Sequence, residues 1–86
     1  MKVLHLSSEN TWRGGEQQIA YLIEELNNLG VENYVACRKG SVFEKHCVDN
    51  LIEHITLPFR NSYEMGSANQ IKNFCKYMEI DILHMH

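Results

Sequence analysis

The sequence predicts an α/β fold: a Rossmann-like open parallel sheet of four strands in the order 3-2-1-4, with helices on both faces. Strand-type and helix-type segments alternate strictly along the 86 residues. Each crossover is of helix length, whereas antiparallel hairpins need only short turns. Right-handed crossovers then put helices on both faces, and the doubly wound order follows when the last crossover runs opposite to the first.

The elements follow in chain order. Lys2–Ser7 is short and apolar without clean alternation, as expected of a strand buried on both faces. Over Glu16–Leu29 the residues Ile19, Leu22, Ile23, Leu26 and Leu29 form one helical face, with Glu24 and Glu25 on the wet side. Gly30 stands where a helix-ending glycine is favoured. Glu32–Cys37 is the second strand, followed by a turn at Arg38-Lys39-Gly40. Ser41 with Glu44 makes a capping box that opens a short helix to Asp49. Leu51–Leu57 is the third strand, half polar and suited to an edge, and Pro58 ends it. Phe59–Gly66 is loop. Ser67-Ala68-Asn69-Gln70 resembles a second capping box before a helix that buries Ile71, Phe74, Cys75 and Met78. Asp81–His86 is the fourth strand, left at an open edge with Ile82, Leu83 and Met85 exposed to association.

Composition limits the function. A net charge of −3 leaves no electrostatic footprint for nucleic acid. The longest apolar run, Ile19–Ile23, is five residues, far below the roughly 20 that span a bilayer. Three cysteines at wide spacing, Cys37, Cys47 and Cys75, suggest neither a disulfide framework nor a zinc knuckle and read as small core residues. Together with the missing glycosylation sequon, this fits a reducing, cytoplasmic location.

In an open α/β sheet, ligands bind at the switch point, here the C-terminal ends of strands one and four. Gly14 and Gly15 stand where strand one hands over to the first helix. They either serve a turn or, with the helix's unpaired first amides, seat a phosphate. Neither GxGxxG nor a P-loop is present. His84 and His86 share a strand face. A metal would need further ligands, and only Asp81 is near in sequence, so no metal is expected. His84 packs in the sheet, beside His5. His86, at the strand tip, can exchange hydrogen bonds with a hydroxyl or phosphate. Trp12 is either a loop anchor or a stacking surface for a sugar. Arg60, beside Asn61, is either a solvated loop residue or an anion contact.

Taken together, these segments resemble the start of a glycosyltransferase family 4 enzyme, of the retaining GT-B type. The matching pieces are Lys2-Val3-Leu4-His5-Leu6, Gly14-Gly15-Glu16 with Ala20-Tyr21-Leu22, and Leu29-Gly30-Val31-Glu32. Arg38-Lys39-Gly40-Ser41, Leu57-Pro58-Phe59-Arg60-Asn61 and Asp81-Ile82-Leu83-His84-Met85-His86 complete the set. The resemblance implies two Rossmann-like domains with the active site between them. It implies that Gly14 and Gly15 approach the diphosphate of a nucleotide-sugar donor, and that His86 contacts the donor sugar as the catalytic histidine. The donor's anomeric configuration is retained, and no cofactor or metal is required. Trp12 and Arg60 are candidates for contact with the acceptor.

Two such domains need roughly 300 residues. Residues 1–86 are therefore expected to be a truncated N-terminal domain without the C-terminal donor-binding domain, and inactive as a transferase alone. The alternatives are a stand-alone α/β module that holds a small phosphorylated ligand, or a non-binding fragment that self-associates through its fourth strand.

Overall fold

The structure, a computed structural model, describes residues 1–7, 14–57 and 65–85. Its elements are β1 (Lys2–Ser7), α1 (Gly14–Asn28), β2 (Glu32–Arg38), α2 (Val42–Asp49), β3 (His54–Leu57), α3 (Met65–Met78) and β4 (Ile82–Met85). The four strands form one parallel sheet in the order β3-β2-β1-β4, as the alternation predicts. β1 is central and pairs on both sides, Leu4 lying between Tyr34 and Leu83.

Side chains of a strand alternate between faces, so β1 feeds two cores. Leu4 and Leu6 join Tyr34, Ala36, Leu57 and Ile71 beneath α3. On the opposite face Ile19 and Ile23 of α1 and Phe43 and Cys47 of α2 pack on Val35 and Cys37. Helices thus cover both faces. Cys37 and Cys47 are fully buried core residues, while Cys75 is half-buried.

All three helices end with the same pair of backbone bonds. After α1, Val31 N–H reaches the Leu26 carbonyl and Gly30 N–H the Asn27 carbonyl. After α2, Ile52 bonds Cys47 and Leu51 bonds Val48; after α3, Ile80 bonds Cys75 and Glu79 bonds Lys76. This is the Schellman motif, which needs a left-handed residue just past the cap. Gly30 supplies it at φ +83°, but Leu51 and Glu79 adopt it at φ +55° and +57° despite their side chains.

These ends correct the boundaries expected from sequence. Leu29 is no part of the buried face; it lies beyond α1 and is 77% exposed. Leu51 belongs to the cap of α2 and is 92% exposed, so β3 begins at His54. α1 and α3 also start earlier than expected, at Gly14 and Met65. Ser67 is therefore inside α3 rather than its cap. Ser41 does cap α2, its hydroxyl accepting from Glu44 N–H at 3.1 Å, and the Glu44 carboxylate returns a 3.1 Å bond from Gly40 N–H. At the N-terminal end of the sheet, Asp81 accepts from Lys2 N–H at 2.8 Å and donates its own N–H to the Lys2 carbonyl at 2.9 Å.

Candidate functional site

Parallel strands aim all their C-terminal ends at one rim of the sheet. Between β1 and β4 the register ends with Leu6 opposite Met85. In a doubly wound sheet this rim is the switch point, where ligands bind. α1 starts at Gly14 on the way back from this rim. The N–H groups of Gly14 and Gly15 lie in its first turn, where an α-helix has no internal acceptor for them. Trp12, Arg60, Asn61 and His86 lie outside the described residues, as does Pro58.

Behind the rim, register places His5 opposite His84, and their ring centroids are 5.7 Å apart at a 57° tilt. Both rings are on the α1 side of the sheet, since Leu4 and Leu6 take the other. His5 is fully buried, and its Nε2 lies 2.9 Å from Asn33 Oδ1. Asn33 Nδ2 donates to Asn27 Oδ1 at 2.8 Å and to the Val31 carbonyl at 3.1 Å. The Asn33 amide is thereby oriented with its oxygen toward the imidazole, so His5 Nε2 carries the proton and donates. Burial pushes the His5 pKa down; the Asn33 bond opposes this, and the neighbouring His84 adds to it. His5 is a neutral, fixed polar strut under α1. Asn33 is the residue that sequence reading missed. The signal was an amide next to the buried run Tyr34–Cys37 of β2, which must find a partner when half-buried.

His84 is exposed at the open edge with the rest of β4. Asp81, the nearest acid in sequence, is turned to the backbone of Lys2 at the opposite end of the strand from the rim. Among the described residues no three His, Cys, Asp or Glu side chains gather as a metal site. Nor is any described helix long and apolar enough to cross a membrane.

The molecule is thus an open, doubly wound α/β sheet whose switch point lies between β1 and β4. No protein-family model matches the chain, and no curated protein matches its sequence. Among solved structures it is similar to a glycosyltransferase from Rickettsia africae ESF-5, with a TM-score of 0.80 and 21% identity over 99% of this chain. The match covers 23% of that protein, so this chain spans less than a quarter of its length. At this identity the likeness is one of fold.

Proposed function

We propose that residues 1–86 are the first part of a GT-B glycosyltransferase, similar to family 4, that transfers a sugar from a nucleotide-sugar donor with retention. The observation that carries this reading is the fold match to a glycosyltransferase along 99% of the chain, with Gly14 and Gly15 opening α1 beside the switch point. In this reading the glycine amides face the donor diphosphate. Glycine lets backbone approach the ligand closely, and the helix N-terminus favours the negative charge that grows as the glycosidic bond breaks. His86 contacts the donor sugar as the catalytic histidine, and Trp12 and Arg60 meet the acceptor. No metal takes part, and the reaction belongs to the cytoplasm.

The donor-binding half is the work of a second domain, so the 86 residues alone bind the donor weakly and do not transfer. The test is a nuclear magnetic resonance titration of the chain with a uridine diphosphate sugar and a guanosine diphosphate sugar, coupled to a turnover assay. The Gly14 and Gly15 amide signals are expected to move at millimolar donor, with no product above background. Unmoved glycine signals would remove the diphosphate seat, and turnover would remove the need for a second domain. Sequencing past the His86 codon adds an independent check, since the reading expects a second half rich in βαβ units.

The open β4 edge favours an accompanying property. Ile82, Leu83 and Met85 are 45%, 43% and 57% exposed, and β4 contains no lysine, glutamate or proline to block pairing. On this basis the fragment self-associates through β4.

A further inference from the structure

A furrow of about 510 Å³ runs between α1 and α2, remote from the β1–β4 switch point. Its floor is apolar, with Ile23 buried and Ile52 half-buried. Asn27, Asn50, Tyr21 and Glu24 line it above that floor. Asn27 is thirteen residues beyond Gly14 on the same helix, about 20 Å along its axis.

Two amides in this furrow are oriented before any ligand arrives. Asn50 Nδ2 donates to the His46 carbonyl at 2.8 Å and to His46 Nδ1 at 3.2 Å. That uses the donors of Asn50 and leaves Oδ1 as an acceptor with no partner among the described residues. Asn27 is its complement. Its Oδ1 accepts from Asn33 at 2.8 Å, which leaves Nδ2 as a donor with no partner among the described residues. Tyr21 adds a ring that is 60% exposed. Glu24 adds a carboxylate, and no lysine or arginine lines the furrow.

We infer that this furrow binds a neutral saccharide, at a site separate from the proposed donor crevice. A pyranose presents apolar C–H patches and a belt of hydroxyls that both donate and accept. The tyrosine ring and the apolar floor suit the first; the fixed donor, the fixed acceptor and the carboxylate suit the second. Pre-fixed amides reduce the ordering cost of binding. The Glu24 carboxylate, with no lysine or arginine in the lining to offset it, disfavours phosphate and acidic sugars. A nucleobase would need a slot that closes on both its faces; the furrow's rings are Tyr21 and His46, and the His46 ring is already held edge-on against Phe43 and bonded by Asn50.

The experiment is a titration of the ¹⁵N-labelled chain with maltohexaose, cellohexaose and mannohexaose, each against uridine and inorganic phosphate as counter-probes. The side-chain amide signals of Asn27 and Asn50 are expected to shift saturably with at least one of the three sugars and with neither counter-probe. The signals of Gly14 and Gly15 stay in place, which separates this result from the donor test. Tyr21→Ala, at an exposed position, is expected to weaken binding about tenfold while leaving the circular dichroism unchanged. Three results would overturn the proposal: no response to any of the sugars, a response to uridine instead, or Tyr21→Ala binding as the parent does.

Discussion

His5 shows what one buried ring does to the pH response of a small domain. Its imidazole is fully buried and neutral, and burial holds its pKa below the unfolded value of 6.5. Above pH 6.5 neither the folded nor the unfolded state protonates it, so its stabilisation is fully present. Below that, the unfolded chain takes up a proton that the folded chain resists, and stability falls as pH drops toward the folded value. Urea unfolding on both sides of pH 6.5 is expected to show this loss, and His5→Gln to reduce it. An equal loss in the variant would assign the effect to the other histidines. Leu51 offers a second residue-level test. It holds φ +55° with 92% of its surface exposed, so its side chain contributes strain and little packing. Leu51→Gly is expected to stabilise the fold by about 1 kcal/mol in the same measurement.

Elements are defined here by their ends as much as by their faces. The Ser41 hydroxyl satisfies a first-turn amide of α2 and is itself only 3% exposed. Ser41→Ala is expected to cost about 1 kcal/mol, read as a lower urea midpoint. Phe43, two residues on, is the largest fully buried side chain among the described residues. Phe43→Ala is expected to cost about 3–5 kcal/mol. A domain of this length is stable by about 4–13 kcal/mol in all, so this variant is expected to be partly unfolded by circular dichroism. The Ser41 cap was legible because its two partners are three residues apart in sequence. The caps at Leu51 and Glu79 were not. A left-handed cap is normally announced by glycine, and only Gly30 does so here. Without that sign, Leu51 reads as the first apolar residue of a strand, although the chain is still closing α2.

For the whole molecule, the decisive feature is asymmetry between the two sheet edges. β3 is the half-polar edge, pairing with β2 from Val35–His54 to Arg38–Leu57. β4 is exposed along its whole length and presents Ile82, Leu83 and Met85. Leu83→Lys would charge that edge and repel a second strand. Sedimentation of the parent chain is expected to show concentration-dependent association that this variant lacks; a parent that stays monomeric would remove self-association through β4.

Sequence alone determined the element order, the parallel sheet, its 3-2-1-4 topology and the two-sided core. These follow from period, length and handedness, which are local or general properties of any chain. It also put His84 beside His5, because parallel register lines up strands of similar apolar pattern. Tertiary structure decided the rest. Asn33 orients His5 across 28 residues, and Asp81 ties to Lys2 across 79. Asn27 and Asn50 come to share one furrow only when α1 and α2 dock on the same face. Contacts of that range leave no period in a sequence, because they depend on where two faces meet rather than on the pattern within either one.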